Sequence, residues 1–569
     1  MTTVTAMPAL VPMPVLLPLL GAALTLAFRR SARLQRTTSI TVLSLVVIVA
    51  AVLVQQTDAN GPQVLWLGGW DAPLGIALVA DRLSSLMLLV SSVVTLIVIV
   101  FAIGQGSADD DDENGQQTPL SIFHPTYLVL TAGIANSFLA GDLFNLFVGF
   151  EILLFASFVL ITLGGTATRI RASTTYVVVS LLSSALFLVA IAGVYAATGT
   201  VNLAQLAIRL GDISPGVSLV LQLSLLTAFA VKAAVFPMSA WLPDSYPTAP
   251  APVSAVFAGL LTKVGVYAII RVQTLLFPDS PLHGLLMGAA LLTMVIGILG
   301  AVSQSGLKRI LSFTLVSHIG YMIFGIALAT PHGMAGAIFY VVHHITIQAA
   351  LFLICGLVER LAGTTSLHRL GGLALASPVL ATLFFVAAMN LSGIPPLSGF
   401  LAKIGLLQAG IEVGTPLAWL LVTAGIVTSL LTLYALAKVW SQAFWRSLVE
   451  ARVAGAALDA SDGLSRATGI EVSAVENGDL AGVSVGRSGD TPRTATIALD
   501  ADPATGERLV SNARSLPPTM VAAAAAMTAV GLVITLAAGP LFAYTQRAAV
   551  DLISRQPYIT SVLPVEVRR

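Results

Sequence analysis

Charge is scarce in this chain. Of its 569 residues only 10% are Asp, Glu, Lys or Arg, while 56% are hydrophobic; an ordinary soluble domain carries ~25% charged residues. That deficit excludes a water-exposed globular surface over most of the chain. Cysteine is nearly absent. The one example, Cys355, excludes an intrachain disulfide and any multi-thiolate metal site. There is no G-x-x-x-x-G-K-[ST] loop and no H-E-x-x-H pair, so ATP-driven transport and membrane zinc proteolysis lack their motifs. Nothing points to a bound cofactor, metal or redox group. The net charge of +1 says nothing about partners, and no nucleic-acid partner is expected. The leading MTTVTAMPALVPMP has no Lys or Arg before its apolar run, unlike a cleaved secretory signal, and the first run is expected to stay as a membrane helix.

What the chain does have is apolar runs, recurring almost end to end. Each is long enough to cross ~30 Å of hydrocarbon as a helix. They fall at 8–28, 37–55, 82–104, 123–141, 143–164, 173–198, 217–241, 251–275, 283–304, 308–329, 333–361, 374–411, 415–440 and 517–543. The fold class is therefore an all-α polytopic membrane protein of about 14 transmembrane helices. Basic residues follow the first run (Arg29, Arg30, Arg33, Arg36), the fifth (Arg169, Arg171), the ninth (Lys308, Arg309) and the eleventh (Arg360, Arg369). The positive-inside rule makes that side cytoplasmic. Both termini are then expected outside, with Arg209, Arg271 and Arg547 as exceptions. Two hydrophilic segments interrupt the runs. Residues 105–122 open with QGSADDDDENGQQT, read as an acidic cytoplasmic loop. Residues 446–516 are rich in Ala, Gly, Ser and Asp and contain VSVGR and TATIALD, alternating stretches suited to strands.

Two of the apolar segments carry a lysine beside proline: FAVKAAVFPMSAWLPDSYPTAPAP (229–252) and MNLSGIPPLSGFLAKIGLL (389–407). A lysine at mid-bilayer costs about 2.5–3.5 kcal/mol on insertion scales, so it normally faces water or a partner. Pro237, and Pro395 with Pro396, predict helix breaks, which free backbone groups that survive only where protein or water supplies partners. Two such segments suggest two half-channels for ions.

Other buried ionisable residues line up between them. Glu151 lies deep in the fifth run, Lys232 just before Pro237, and Lys263 in the next run. A Glu151–Lys232 pair would be switchable, each charge needing the other. His318, then His343 and His344, follow on two later runs, and Lys403 closes the series. Histidine passes protons in both directions near neutral pH. Ser254, Thr262, Ser317, Thr346 and Gln348 are placed to hold waters between these groups, because side chains alone do not bridge the gaps. His124, His283, His332 and His368 lie near run ends and read as interfacial.

The stretch FPMSAWLPDSYPTAPAPVSAVFAGLLTKVGVYAIIR (236–271), with LKRILSFTLVSHIGYM (307–322), HHITIQAALFLICG (343–356) and LSGIPPLSGFLAK (391–403), resembles the antiporter-like subunits shared by respiratory complex I and the Mrp-type multisubunit cation/proton antiporters. The likeness covers about residues 80–440, with the motifs in the family's order. It implies two inverted five-helix repeats, residues 123–276 and 283–440, flanked by N-terminal helices (1–104), the 446–516 insert, and a last helix with its tail (517–569). It also implies a central polar axis. Glu151, Lys232, Lys263, His318 and Lys403 then look like the family's proton-path residues. Within the family, Phe150-Glu151, His343-His344 and Lys403 favour the D-type subunit of an Mrp antiporter. Gln348 departs from the pattern, standing where many relatives carry lysine, and the 446–516 insert lies outside it. The resemblance implies a secondary transporter rather than an enzyme. It would be a proton-translocating subunit of a Na+(or K+)/H+ antiporter in a bacterial-type cell membrane, working beside other subunits of a hetero-oligomer. A proton-pumping subunit of complex I or of a related hydrogenase complex, and a structural scaffold subunit, remain as alternatives.

Overall fold

The computed structural model describes residues 7–70, 72, 74–106, 120–163, 167–451, 453–455, 473–477, 480–485, 493–495 and 516–563. The predicted acidic loop, most of the 446–516 insert and the extreme C-terminus lie largely outside them.

Apolar runs too long for any strand become helices in hydrocarbon, where only intrasegment hydrogen bonding satisfies the backbone. The first three are α1 (Met13–Ala27), α2 (Ala32–Asn60) and α3 (Arg82–Gln105), with an antiparallel hairpin of β1 (Gln63–Trp66) and β2 (Ala77–Ala80) between α2 and α3. Next come α4 (Leu120–Leu139), α5 (Leu143–Thr162), α6 (Ala167–Thr198), the short α7 (Leu203–Arg209) and α8 (Pro215–Ala233). Short α9 (Trp241–Ser245) leads into one continuous span built of α10 (Ala251–Val256), a π-turn at Phe257–Leu261 and α11 (Thr262–Arg271). Then follow α12 (His283–Ser303), α13 (Leu307–Ala327), α14 (Pro331–Ala362), one-turn α15 (Leu373–Ala376), α16 (Pro378–Ser392), α17 (Ser398–Val413) and α18 (Pro416–Val439). After an antiparallel sheet of β3 (Ser473–Asn477), β4 (Leu480–Val485) and β5 (Arg493–Ala495), the chain ends in α19 (Pro518–Leu536), α20 (Ala538–Ser554) and α21 (Gln556–Val562). Among the described residues, 13 helices are long and apolar enough to cross a membrane. The interrupted pair α16–α17 adds one further crossing.

Local sequence sets the helix ends. Thr330, Ser377 and Thr415 cap α14, α16 and α18 with their hydroxyls, and each is followed by proline at the first helical position, where the missing N–H costs nothing. The two predicted interruptions are real breaks. The helix expected over 217–241 stops at Ala233, four residues before Pro237, whose nitrogen cannot bond back. The helix expected over 374–411 stops at Ser392. There Gly393 (φ +83°) takes the left-handed conformation that favours glycine, and the chain resumes helically only after Pro395-Pro396.

The core is built around α14. Its residues 333–358 are all buried, and it packs against α3, α10, α13, α16, α17, α19 and α20. Alongside it α13 is almost as deeply covered, and Gly297 of α12 lets that helix close on it. A Cβ at Gly297 would sit 2.4 Å from the Ser317 nitrogen. The last run ends at Leu536, short of the expected 543. The helix that restarts at Ala538 leads to the hairpin face, where Arg82 pairs with Asp58 and Asp551, and Arg547 with Asp58.

Candidate functional site

Both helix breaks expose backbone carbonyls, and each has a lysine beside it. Lys403, on α17, donates to the freed carbonyls of Leu391 (3.2 Å) and Ser392 (2.9 Å) and to Ser429 Oγ of α18 (2.9 Å), with its ammonium 5.3 Å from the Tyr321 ring centre. Lys232, in the last turn of α8, donates to the Ser180 carbonyl (3.3 Å) and Ser184 Oγ (3.1 Å) of α6, and lies 5.7 Å from the Phe150 ring centre. Ammonium groups have three donors and no acceptor, so the freed carbonyls of the second break suit Lys403 in the same way that helix C-termini suit cations, whereas Lys232 bonds to the unbroken α6 rather than to the first break.

Glu151 does not close on Lys232. No ion pair joins them among the described residues, although Glu151 is near enough for its charge to act on Lys232. Glu151 is half-buried and its Oε1 has no partner. The expected contact pair is therefore an open one. The hydroxyl and carbonyl of α6 stand closer to the ammonium and take its hydrogen bonds. Beside Lys232 a cavity of about 20 Å³ is lined by Ser180, Tyr176, Trp241 and Tyr246, room for about one water.

Lys263 is fully buried on α11 and, among the described residues, donates to the Ala258 carbonyl (2.5 Å) within the π-turn. Between it and Lys403 lie the three histidines, all fully buried. The His318 and His344 rings are 5.1 Å apart. His318 Nδ1 shares a 2.7 Å hydrogen bond with the Tyr340 hydroxyl, and His343 Nδ1 a 3.0 Å bond with Ser398 Oγ. Ser398 Oγ donates to Asn390 Oδ1 (3.2 Å), so His343 is tied to the second break. Tyr340 stacks on Tyr321 (5.2 Å), and Tyr321 bonds to the Gly425 carbonyl and to Thr428 Oγ1 (2.8 Å). The free nitrogens of this group are His318 Nε2, His343 Nε2 and both nitrogens of His344. Buried polar atoms as a rule have partners. Four orphans within one cluster are what a hydrated axis requires.

The five supporting residues divide. Thr262 Oγ1 and Gln348 Oε1 are buried without a partner and face the same requirement. Ser254 donates to the Tyr246 carbonyl (2.8 Å), Ser317 to the Met294 carbonyl (2.8 Å) and Thr346 to the His343 carbonyl (2.8 Å), so their protons are already committed to backbone. Gln348 also donates to the Leu311 carbonyl (2.7 Å).

Sequence reasoning missed Tyr340, Tyr321, Ser398, Asn390, Ser180 and Ser184. Polar aromatics and serines are common in apolar helices, and only packing brings these to the axis: that of α13, α14 and α17 for Tyr321, Tyr340 and Ser398, that of α6 on α8 for Ser180 and Ser184. Asn390, five residues before Pro395, was the one with a signal. His124 is more deeply covered than its position suggests. It lies near the start of α4, as expected, but is fully buried, because α2 covers it and Ser39 Oγ meets its Nδ1 at 2.9 Å. His332 does lie at an exposed helix end, paired with Glu412. Among the described residues no group of three His, Cys, Asp or Glu is arranged to hold a metal ion.

Comparison with known proteins gives consistent findings. Residues 140–432 match the family model described as NADH:quinone oxidoreductase/Mrp antiporter, transmembrane. Two curated relatives are named as the D subunit of a Na(+)/H(+) antiporter. The protein of Alkalihalophilus pseudofirmus is 42% identical over 77% of this chain and 87% of its own length, and that of Bacillus subtilis 38% identical over 76% and 86%. Among solved structures, a chain of the Mrp complex from Dietzia sp. superposes with TM-score 0.81 at 31% identity, covering 98% of this chain and all of that one.

Proposed function

This chain belongs to the NADH:quinone oxidoreductase/Mrp antiporter transmembrane family, and on that premise we propose that it is the proton-translocating D-type subunit of a multisubunit Na+(or K+)/H+ antiporter. The names carried by its relatives favour this over a complex I subunit. One observation supports the reading above the rest. Seven buried or half-buried titratable groups run from the first broken helix to the second, with unpartnered polar atoms between them. A structural scaffold has no use for orphaned donors and acceptors, each of which costs about 1–3 kcal/mol unless water meets it.

In this reading protons enter beside Lys232, where the cavity reaches toward Trp241 and Tyr246, and pass Lys263. They cross through His344, His318 and His343 by way of water, Thr262 and Gln348. The Tyr340 and Ser398 hydroxyls orient the histidine rings. Lys403 is the far station, beside the second break. Glu151 sets whether Lys232 keeps its proton, and so couples this chain to neighbouring subunits. Residues 123–276 and 283–440 form the two inverted repeats, each with one broken helix. The face bearing Arg29–Arg36, Lys308 and Arg360 is cytoplasmic, which puts the hairpin and both termini outside. Sodium usually needs clustered oxygen ligands, and no cluster of carboxylates lies on the axis among the described residues, so in this reading the chain carries the proton limb.

The test is cation-dependent collapse of ΔpH in everted vesicles carrying the whole complex, with Glu151→Gln or Lys232→Ala in this chain. Assembly intact with exchange lost supports the path. Assembly intact with exchange unchanged makes the buried charges a scaffold.

A further inference from the structure

Helix α17 opens at the second break without a cap of its own. The residue flanking its first turn is Leu397, whose side chain has no oxygen to offer the free N–H groups there. The first two of those groups are met from other helices. The Gly399 nitrogen donates to Asn390 Oδ1 of α16 (2.9 Å), and the Ser398 nitrogen to Thr535 Oγ1 of α19 (2.9 Å). Thr535 gives its own proton to the Gly531 carbonyl one turn back (3.0 Å), so toward α17 its oxygen is an acceptor. The first break is served in the same way. There the Phe236 nitrogen donates to Thr293 Oγ1 of α12 (3.0 Å), whose proton goes to the Ala289 carbonyl (2.5 Å). At each break a threonine of a helix that is not itself broken there holds a backbone N–H that the break leaves free.

What Thr535 holds lies against the histidines. The Ser398 hydroxyl meets His343 Nδ1 (3.0 Å) and donates to Asn390 Oδ1 (3.2 Å). A Cβ on the next residue, Gly399, would lie 3.0 Å from His343 Nε2. The first turn of α17 therefore has no slack against the His343 ring. Gly531 lets α19 come alongside, since even a Cβ there would touch Asn390 Nδ2 at 3.4 Å.

We propose, resting on the proton path described above, that Thr535 is a positioning residue of that path. By accepting from the Ser398 nitrogen it fixes the turn that orients His343. It thereby ties α19, which belongs to neither proposed repeat, to the histidine cluster. Valine at this position keeps the branched shape and loses the acceptor, so the buried Ser398 N–H must find another by shifting the turn. Serine keeps the acceptor.

The experiment is cation-dependent collapse of ΔpH in everted vesicles carrying the whole complex, normalised to assembled complex. Thr535→Val should lower exchange by about tenfold, and Thr535→Ser should keep it. Thr528, buried two turns earlier on α19, donates to the Ala524 carbonyl of its own helix (2.9 Å) and has no hydrogen bond to another helix among the described residues. Thr528→Val should therefore exchange like the wild type. Ser398→Ala removes the hydroxyl through which Thr535 acts, so adding Thr535→Val to it should lower exchange no further. Thr535→Ala replaces Thr535→Val if valine prevents assembly. Wild-type exchange by assembled Thr535→Val overturns the proposal, as do losses that multiply in the double variant or an equal loss in Thr528→Val. So does failure of both Thr535→Val and Thr535→Ala to assemble, which would make the hydroxyl a folding element. Lys403→Met, run alongside, separates the two levels. If it loses exchange while Thr535→Val keeps it, only the role of Thr535 falls; if it exchanges like the wild type, the path falls and the role of Thr535 with it.

Discussion

Replacing Lys403 with methionine separates charge from packing at the second helix break. The ammonium serves three acceptors, and two of them keep or find other partners. Ser429 Oγ itself donates to the Ser392 carbonyl at 2.8 Å, so that carbonyl stays satisfied. Only the Leu391 carbonyl is orphaned, at about 1–3 kcal/mol. Removing the buried ammonium recovers a penalty of about 2.5–3.5 kcal/mol on membrane scales. The two effects nearly cancel, so Lys403→Met should assemble like the wild type. Methionine also keeps the apolar stem, which lies against Gly393, 2.9 Å from where its Cβ would be. Lys403→Ala gives up about three methylenes of that packing and should be less stable by about 2 kcal/mol. Transport should not distinguish the two variants. Neither holds a proton, and both should lose at least tenfold in cation-driven proton exchange, equivalent to about 1.4 kcal/mol in the barrier. The assay is ΔpH in everted vesicles, normalised to assembled complex. Wild-type exchange by fully assembled Lys403→Met would falsify the assignment of Lys403 as a proton station.

Tyr340→Phe removes the hydroxyl that fixes His318 Nδ1 and should slow exchange several-fold with little effect on assembly, whereas His318→Ala should abolish it; equal rates for Tyr340→Phe and wild type count against an orienting role. Gly297→Val places atoms against the Ser317 backbone and should block close packing of α12 on α13, reducing the assembled complex on blue native gels. Asp142 favours its neutral form when folded, so its contribution to stability is full below about pH 4 and lost as pH rises through about 6. The rise from 3.8 to about 6 corresponds to about 3 kcal/mol. In detergent, the melting temperature of Asp142→Asn relative to wild type should therefore increase between pH 4 and pH 7, and a flat difference contradicts the burial argument.

The legible parts of the molecule were those fixed by one-dimensional chemistry. Apolar runs crossed as helices because hydrocarbon leaves them no other option, and Pro395-Pro396 broke a helix wherever that helix was placed. The last run was expected to continue past Leu536, although Gly539-Pro540 marks an interruption there; the structure puts that pair in the first turn of the helix Ala538–Ser554. The hairpin at 63–80 lies between two strong runs and has only four-residue strands, too short to be distinguished from a loop by alternation. At the site, ionisable residues stood out because charge is rare in this chain. Their partners did not. Tyr340 and Ser398 are ordinary residues for a membrane helix, and their roles come from α13, α14 and α17 meeting. The burial of His124 was hidden for the mirrored reason, since closeness to a helix end along the chain says nothing of which neighbour lies over it.

Hydration of the histidine cluster is the most direct test of a proton path through this chain. A high-resolution map of the assembled complex in a lipid nanodisc should show ordered waters within hydrogen-bonding distance of both His344 nitrogens, His318 Nε2 and His343 Nε2, linking Lys263 on one side to Lys403 on the other. If instead these atoms are met by close-packed side chains at both low and high pH, leaving no place for a water between Lys263 and Lys403, the path does not exist.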